Sequence, residues 1–263
     1  MRELFMSAAR YSLWRFGCGP RENLYGDSVR FGCGPRGVGR VGFVGKSAED
    51  AKSPGGKAPM MKSIEDQKRG ARMRGITARD SLTAEVREEL SERISRAIMA
   101  SEEYKRAKVI MLYKAVKGEV KLDVLEERAA ADGKKLAYPL CVGRGKMIAL
   151  SPASDESWIS GTYGITEPAA EKSESVRPED IDMIICPCTA FDEQGRRAGM
   201  GGGYYDRFLT SCSGACIAAA AFEVQKADEV PAAELDVVMD KIFTEKKIYS
   251  GAFSGWSSEK FDV

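Results

Sequence analysis

Short apolar runs separated by helical segments are the feature that most constrains how this chain can fold. Residues 109–113 form a continuous apolar run, residues 181–186 and 217–222 are two further predicted buried strands, and weaker strand patterns occupy residues 136–138 and 147–150. A strand that is apolar along its whole length is typical of a parallel sheet, in which helices cover both faces. The runs therefore predict a layered α/β core.

The segments between these runs carry helical signals. From Val86 to Ile98 an apolar residue recurs at every fourth position, and Thr83 is placed to cap the start of that helix. A second helix is predicted over residues 123–131, where Gly133 would end it. The alternation predicts an α/β fold with a mostly parallel sheet flanked by helices on both faces, in a Rossmann-like, three-layer arrangement. Such sheets bind ligands beyond the carboxyl ends of their strands.

The absence of histidine removes whole classes of chemistry. No Ser-His-Asp triad, Cys-His pair or histidine-ligated metal can be built from this chain. The 40 lysines and arginines are balanced by 39 acidic residues, so overall charge favours neither nucleic acid nor an anionic membrane as a partner. No apolar run approaches the roughly 20 residues that span a bilayer. We therefore expect no nucleic-acid or membrane partner, and we predict a cytoplasmic monomer.

The seven cysteines are odd in number and show no repeated spacing. Cys186 with Cys188, and Cys212 with Cys216, could be read as thiolate ligands of a metal ion. The interpretation that we prefer is that they are reduced, partly buried thiols in a cytosolic protein.

Residues 1–59 differ in composition from the rest of the chain, because they are rich in Gly, Arg and Ser and show no apolar periodicity. We predict a disordered extension, or translated sequence upstream of a true start at Met60 or Met61. An Arg-rich transit peptide and a nucleic-acid-binding arm are the alternatives. Residues 60–252 form the predicted folded domain, and residues 253–263 form a C-terminal tail.

A glycine-rich loop, residues 199–203, follows the strand at residues 181–186 and precedes a predicted helix start at residues 204–209. Because glycine lacks Cβ, its backbone N–H groups can approach phosphate oxygens, and a helix N-terminus adds partial positive charge. Arg197 and Arg207, on either side, could add charge-assisted contacts to an anion. The pattern matches neither the P-loop nor the dinucleotide-binding fingerprint. A glycine-rich turn that only packs against the sheet is the alternative interpretation.

The residues around this loop carry a resemblance to a known family. Residues 187–209, PCTAFDEQGRRAGMGGGYYDRFL, resemble the signature of the 5-formyltetrahydrofolate cyclo-ligase family, whose members are also called methenyltetrahydrofolate synthetases. Further elements of the family occur in the right order within residues 62–249, at positions 68–72, 118–120, 164–168, 225, 230–231, 236, 240 and 244–245. Residues 60–252 would accordingly form the catalytic domain.

The resemblance implies an ATP-dependent ligase that forms a carbon–nitrogen bond. The family converts 5-formyltetrahydrofolate and ATP to 5,10-methenyltetrahydrofolate, ADP and phosphate, so it implies ATP as co-substrate, Mg2+ as cofactor and a reduced folate as partner. The formyl oxygen would be phosphorylated, and N10 would then attack the activated carbon. Phosphoryl transfer depends on positioning and charge neutralisation, which a site without histidine can supply. A homologue that binds nucleotide or folate without turnover is the alternative.

The resemblance also implies the site residues. Arg197 and Asp206 would be catalytic, and Asp206 and Asp236 would bind magnesium, which commonly uses one or two carboxylates plus phosphate oxygens. The ATP-binding residues would be Lys68, Arg69, Gly70, Ala71, Arg72, Arg197, Ala198, Gly199, Met200, Gly201, Gly202, Gly203, Tyr204 and Tyr205. The substrate-binding residues would be Lys114, Glu119, Met200, Gly201, Gly202, Gly203 and Tyr204, with the Glu119 carboxylate on the pterin.

Several positions depart from the family pattern. Cys188 stands where the family usually has glycine, Ala198 where it has leucine, and Met200 where it has tyrosine or arginine. Lys114 and Leu235 are also unusual at their positions. None of these departures removes a phosphate-binding or metal-binding group, so they bear on substrate affinity more than on the class of reaction.

Overall fold

The computed structural model describes residues 63–161 and 165–251, and the predicted N-terminal extension and C-terminal tail lie outside these residues. The helices are α1 (Ile64–Asp80), α2 (Ala84–Ala100), α3 (Glu102–Arg106), α4 (Asp123–Ala131) and α5 (Tyr204–Leu209). The strands are β1 (Val109–Met111), β2 (Lys135–Gly143), β3 (Lys146–Pro152), β4 (Trp158–Ser160), β5 (Thr166–Pro168), β6 (Ser173–Val176), β7 (Met183–Pro187), β8 (Ala190–Phe191), β9 (Arg197–Ala198), β10 (Cys216–Ala220), β11 (Lys241–Phe243) and β12 (Ile248–Ser250). None of the helices in this described part of the chain has both the length and the apolar character needed to cross a bilayer.

The central sheet has the strand order β12-β11-β10-β7-β1-β2-β3-β6. Its middle strands pair in parallel, β11 with β10, β10 with β7, β7 with β1 and β1 with β2, which confirms the predicted mostly parallel sheet. Both edges are antiparallel, because β3 returns directly from β2, and β12 returns directly from β11. Strands that are joined by so few residues can pair only in the antiparallel direction.

The apolar runs form the centre of this sheet, and each face of the sheet has its own core. Along β7, Met183 and Ile185 face one side, and Ile184 and Cys186 face the other, because successive side chains of a strand point in opposite directions. Helices α2 and α4 cover the Ile185 side, while α5 and the β8–β9 hairpin cover the Cys186 side. Coverage on both faces was predicted from the continuous apolar runs and is confirmed.

Helix α2 begins where the sequence places it. The Thr83 hydroxyl accepts a hydrogen bond from the Val86 N–H, with 3.3 Å between N and Oγ1. Ile94 and Ile98 are fully buried, and Leu90 packs against the same core. Val86 was predicted to belong to this apolar stripe but is 38% exposed, since the first turn of α2 lies outside the core cluster. The predicted apolar stripe of α2 is therefore confirmed only from Leu90 onward.

Replacing Thr83 with alanine is expected to lower the free energy of unfolding by about 1 kcal/mol, because the first turn of α2 loses its side-chain acceptor. Urea titration followed by circular dichroism measures the change. Thr77→Ala is the matched control, since Thr77 is an exposed residue inside α1 and alanine is the better helix former there. Equal losses for the two variants would contradict the capping role.

The end of β7 lies beside the end of β1, because the two strands are parallel neighbours. Helix α1 packs against the chain that leaves β7, in contact with β8, β9 and the 3-10 turn Glu223–Gln225. This contact depends on Gly75, where a Cβ atom would overlap the carbonyl oxygen of Thr189. The carboxyl edge of the sheet is where ligands of such folds bind.

Candidate active site

The glycine-rich loop, residues 199–203, leads directly from β9 into α5. Gly201 has a φ of +95° and Gly203 a φ of +62°, which are left-handed conformations that glycine adopts without strain. Gly203 is the N-cap residue of α5, so the chain turns sharply into the helix. Because α5 has only six residues, we expect the backbone N–H groups and the arginines around the loop to contribute more to anion binding than the helix dipole does.

Two arginines hold this loop through hydrogen bonds to backbone carbonyl oxygens. Arg72 donates from Nε to the carbonyl oxygen of Gly199 at 3.0 Å. Arg207 donates from Nε to the carbonyl oxygen of Gly145 at 2.7 Å, and from Nη2 to that of Gly202 at 2.6 Å. The guanidinium fork is well suited to such bridges between backbone carbonyls. Arg207 was predicted as a contact to an anion, whereas in the structure it braces the loop against the β2–β3 turn.

Arg197 and Asp206, which are predicted to be catalytic, lie together. Arg197 Nη2 is 3.3 Å from Asp206 Oδ1, and Arg197 Cζ is 5.6 Å from the centre of the Tyr205 ring. The Arg197 side chain is only 3% exposed, and its Nε atom has no hydrogen-bond partner among the described residues. The buried hydroxyl of Tyr205 has no partner there either. Because buried polar groups are nearly always paired, these two unpaired groups mark a place for acceptor atoms of a ligand.

Burial sets the protonation of the neutral groups around Arg197. It raises the pKa of Tyr205 well above its usual range, so the hydroxyl keeps its proton and remains a donor. Burial also raises the pKa of Cys186 to about 11 and that of Cys188 to about 12. Both thiols are therefore uncharged at neutral pH, and neither can act as a thiolate nucleophile without a change in its surroundings.

Lys68, predicted to bind ATP, forms an ion pair with Asp236, predicted to bind magnesium. Asp236 Oδ2 also accepts a hydrogen bond from the Ala233 N–H at 2.6 Å, which fixes the carboxylate at the end of its loop. The structure therefore brings one phosphate-binding candidate and one metal-binding candidate into contact across α1 and residues 231–240. A metal–nucleotide complex could replace this ion pair, with a phosphate on Lys68 and the metal ion on Asp236.

Glu119 lies at the end of the segment that follows β1, and it is 7% exposed. Its Oε2 atom accepts from the Val116 N–H at 3.1 Å, across a turn in which Lys117 and Gly118 both have positive φ. Burial raises the pKa of Glu119, while the Val116 hydrogen bond, Arg79 and Lys117 act in the opposite direction. A buried carboxylate at the carboxyl edge of the sheet suits recognition of paired N–H donors.

Lys114, the other predicted substrate-binding residue of this segment, is engaged with protein groups. Its Nζ atom donates to both carboxylate oxygens of Glu126 at 2.6 and 2.7 Å. The same atom lies 4.7 Å from the centre of the Trp158 ring and 5.2 Å from that of Tyr138. An ion pair and two cation–π contacts therefore hold the Lys114 side chain in place.

Hydrogen bonds fix the backbone that leaves β7. Gln225 donates from Nε2 to the carbonyl oxygens of Cys188 and Thr189, both at 2.9 Å. Thr189 in turn donates from N and Oγ1 to the carbonyl oxygen of Ala198, at 2.8 and 2.7 Å. Cys188 and Ala198, two of the departures from the family pattern, are both buried in this rigid part, while the third, Met200, is 55% exposed at the loop.

Arg79 is a residue that sequence reasoning missed. It lies at the end of α1, its side chain is 2% exposed, and its Nε and Nη1 atoms have no hydrogen-bond partner among the described residues. A signal was present in the sequence, because Lys68, Arg72 and Arg79 recur at the four- and seven-residue spacings of one helix face.

Among residues 63–161 and 165–251, no group of three or more His, Cys, Asp or Glu is arranged to hold a metal ion. The hypothesis of a thiolate metal site therefore gains no support. The cysteines concerned, Cys186, Cys188, Cys212 and Cys216, are each free and buried. Magnesium requires less from the protein, because phosphate oxygens and water complete its coordination.

The described residues also match known proteins. The 5-formyltetrahydrofolate cyclo-ligase family matches residues 64–245 of this chain. The 5-formyltetrahydrofolate cyclo-ligase of Escherichia coli K12 is 25% identical over 175 residues, which cover 65% of this chain and 96% of the relative. A mitochondrial 5-formyltetrahydrofolate cyclo-ligase of Arabidopsis thaliana is 31% identical over 165 residues, 56% of this chain and 58% of that protein. The solved structure of Aquifex aeolicus 5,10-methenyltetrahydrofolate synthetase superposes with a TM-score of 0.63 at 30% identity, covering 74% of this chain and 98% of that one.

Proposed function

The chain belongs to the 5-formyltetrahydrofolate cyclo-ligase family, and from this premise we propose how its residues divide the work of the reaction. The enzyme is an ATP-dependent ligase that converts 5-formyltetrahydrofolate to 5,10-methenyltetrahydrofolate with release of ADP and phosphate. The observation that carries our assignment of roles is the buried Arg197, whose unpaired Nε lies with the unpaired Tyr205 hydroxyl beside the glycine-rich loop.

The nucleotide half of the site lies between α1 and the glycine-rich loop. Lys68 and Arg72 supply two cations from one face of α1, and Arg197 supplies a third from β9. The remaining groups proposed to contact ATP are Arg69, Gly70, Ala71, Ala198, Gly199, Met200, Gly201, Gly202, Gly203, Tyr204 and Tyr205. Three cations and a row of backbone N–H groups suit a triphosphate, whose charge must be neutralised before transfer.

The folate half lies beyond the same loop. The Glu119 carboxylate is proposed to accept hydrogen bonds from the pterin ring, whose ring N–H and amino group present two parallel donors. Lys114 lines this half through its contacts with Trp158 and Tyr138. Residues 200–204 are proposed to be shared by the two halves, because the formyl oxygen has to reach the γ-phosphorus beside this loop.

The reaction proceeds in two steps that this arrangement can support. In the first, the formyl oxygen attacks the γ-phosphorus, the bond to the bridging oxygen breaks, and ADP leaves. In the second, N10 attacks the formyl carbon, the phosphate leaves with the former formyl oxygen, and N10 loses its proton. The Arg197 guanidinium and the neutral Tyr205 hydroxyl donate to oxygens that gain negative charge during transfer. Neither step needs a nucleophile from the protein, which agrees with the neutral thiols of Cys186 and Cys188.

Asp206 and Asp236 are proposed as the magnesium ligands. Both are partly exposed carboxylates. Asp206 is paired with Arg197 and Asp236 with Lys68, and ATP phosphates could bind these two cations when the carboxylates bind the ion. Carboxylate oxygens are the hard ligands that magnesium prefers, so the residues fit the ion. When bound, magnesium would neutralise charge on the phosphate oxygens and orient them.

We further propose that the protein is a cytoplasmic monomer. Its exposed large apolar side chains, Ile64, Met73, Val86, Val142, Ile159, Met200, Val224, Leu235 and Ile248, are spread over many elements of the described structure. Light scattering behind size-exclusion chromatography tests the oligomeric state. Cell fractionation tests the location, since recovery of the protein in an organelle fraction would contradict it.

Turnover is tested by mixing the purified protein with 5-formyltetrahydrofolate, ATP and magnesium, and following the absorbance of 5,10-methenyltetrahydrofolate. We expect product only when all three are present, and we expect EDTA to stop the reaction and excess magnesium to restore it. Folded protein that binds both substrates without forming product would be a binding homologue, and the assignment of roles would then fail.

A further inference from the structure

The turn between β8 and β9, residues 192–196, is connected to both proposed magnesium ligands. It leads directly into Arg197, whose guanidinium is paired with Asp206. It also contacts residues 230–239, which we call the Asp236 segment and which contain no helix or strand. The turn belongs to the motif of residues 187–209, but none of its own residues has a role in the proposed reaction. Its side chains are therefore candidates for a role that acts through other residues.

Asp192 organises this turn with a fully buried carboxylate, whose side chain is 0% exposed. Its Oδ1 atom accepts from the N–H groups of Gln194 and Arg196, at 3.0 and 3.1 Å. Its Oδ2 atom accepts from Arg196 Nε at 2.7 Å and from the Val230 N–H at 2.8 Å. A buried carboxylate is costly unless its charge is paired and its oxygens accept hydrogen bonds, and these four donors meet both conditions. One of them, Val230, lies outside the turn.

The Val230 hydrogen bond anchors the start of the Asp236 segment, and a second contact anchors its end. The Met239 N–H donates to the carbonyl oxygen of Gly195, in the same turn, at 2.8 Å. Gly195 has a φ of +83°, and a Cβ atom there would lie 2.6 Å from the Met239 carbonyl oxygen, so this close approach requires glycine. The β8–β9 turn therefore holds the segment at both of its ends.

Asp236 lies between these two anchors, and its other contacts do not replace them. Its N–H donates to the carbonyl oxygen of Ala233 at 3.0 Å, and its Oδ2 atom accepts from the Ala233 N–H at 2.6 Å. These bonds shape the local turn that presents the carboxylate, but they do not fix where that turn lies relative to β9. The ion pair of Asp236 with Lys68 is proposed to open when a metal–nucleotide complex binds. In that state the anchors have to hold the segment.

We propose that Asp192 is a positioning residue for the magnesium site: it holds the Asp236 segment on the β8–β9 turn, so that Asp236 keeps its place when the metal–nucleotide complex binds. The proposal rests on the proposed role of Asp236 as a magnesium ligand. Groups that orient the ligands of a metal ion contribute strongly to the affinity for that ion. Because the same turn continues into Arg197, the partner of Asp206, Asp192 ties the supports of both proposed ligands together.

The proposal predicts that Asp192→Asn weakens the effect of magnesium on ATP binding. Asparagine has nearly the same volume, but its amide oxygen can accept from only some of the four donors, and its NH2 group would face the others. We expect magnesium to raise the affinity of the wild-type protein for ATP, and we expect this gain to be about tenfold smaller in Asp192→Asn. The affinity for ATP without metal should match the wild-type value, since Lys68, Arg72 and Arg197 are unchanged. Isothermal titration calorimetry with ATP, in excess magnesium and in EDTA, measures both affinities without turnover.

Asp182→Asn is the matched control, because Asp182 also holds backbone through a carboxylate oxygen. Its Oδ2 atom accepts from the N–H groups of Lys108 and Val109 at 2.7 and 2.8 Å, at the start of β1 and therefore at the edge of the sheet opposite the proposed site. We expect Asp182→Asn to lower the Tm and to leave the gain from magnesium unchanged.

Arg196→Gln is a milder second variant, because it removes one donor to Asp192 from a side chain that is 26% exposed. We expect it to reduce the gain from magnesium by less than Asp192→Asn does. If Asp192→Asn does not fold, as judged by thermal unfolding, an unchanged gain in Arg196→Gln contradicts the proposal.

A gain from magnesium in Asp192→Asn that equals the wild-type gain would overturn the proposal. So would equal losses of ATP affinity with and without magnesium, since Asp192 would then only support the fold. If magnesium does not raise the ATP affinity of the wild-type protein, the proposed magnesium site fails and this proposal fails with it. If magnesium does raise it but no methenyltetrahydrofolate forms, only the proposed reaction fails, and the titrations still measure the role of Asp192.

Discussion

Replacing Arg197 with methionine is expected to lower kcat for methenyltetrahydrofolate formation by about a thousandfold, because a cation that stabilises the transferring phosphoryl group is lost. The Arg197 side chain is buried against Asp206 and Tyr205, and water cannot readily replace it. The effect should appear mainly in kcat, since charge develops on the phosphoryl oxygens during transfer and the interaction is strongest then.

The same change is expected to leave the fold intact. The Nε atom of Arg197 is already buried without a partner, so methionine removes an unsatisfied donor as well as a buried charge. Asp206, which loses its partner, keeps 25% of its side chain exposed, so water can still solvate its charge. We therefore expect the Tm of Arg197→Met to stay level or rise while activity falls.

Initial rates at saturating ATP and folate, together with differential scanning calorimetry, test both parts of this prediction. Arg128→Met is the control, because Arg128 is an exposed residue of α4 whose ion pair with Asp132 lies on the surface. We expect it to change neither kcat nor stability measurably. If Arg197→Met kept more than about a tenth of the wild-type kcat, a charge-stabilising role for Arg197 could not be sustained.

The parallel core of the fold could be predicted from the sequence, because its strands are buried on both faces and are therefore continuously apolar. The helix at residues 123–131 and the start of α5 were also predicted correctly, since a glycine marks a boundary of each. The antiparallel edges were not predicted. Their short strands β6, β11 and β12 carry too few residues for a pattern, and their pairing depends on the neighbouring strands.

The candidate site, like the fold, could be predicted only in part from the sequence. The family resemblance named Lys68, Arg72, Arg197 and Asp206 together. Arg72 contacts Gly199 of the loop and Arg197 contacts Asp206 on its far side, whereas Lys68 lies on Asp236. Spacing could not show where a long side chain points. Arg207 turns back to the carbonyl oxygens of Gly145 and Gly202.

Residues that meet through the tertiary fold were the hardest to predict. Lys114 reaches Glu126 across the start of α4, a contact that no local pattern encodes. The sequence shows Arg79 on the same helix face as Lys68 and Arg72, but it does not show that the Arg79 side chain is buried. Orientation and burial are properties of the packed structure, so sequence analysis identified which segments form the site better than which atoms face it.

Replacing Gly75 with alanine is expected to lower the free energy of unfolding by about 2 kcal/mol, although alanine is intrinsically the better helix former by about 1 kcal/mol. The new Cβ would overlap the carbonyl oxygen of Thr189 and lie 2.9 Å from its carbonyl carbon and 3.1 Å from the Ala190 Cβ. That backbone cannot move aside easily, because Gln225 holds the Thr189 carbonyl and Thr189 is itself bonded to Ala198. Helix α1 would therefore have to move instead.

Movement of α1 would displace its whole basic face at once. We expect the KM for ATP to rise in Gly75→Ala, since Lys68 and Arg72 lie on this face of α1 and are proposed to bind the nucleotide. Gly70→Ala is the matched comparison for stability within the same helix. A Cβ at Gly70 meets only the flexible Arg74 Nη1, at 3.3 Å, so helix propensity should dominate and stability should rise by up to about 1 kcal/mol. Opposite signs for the two variants in urea unfolding would show that close packing at Gly75 fixes α1 against the site, and equal signs would contradict that contact.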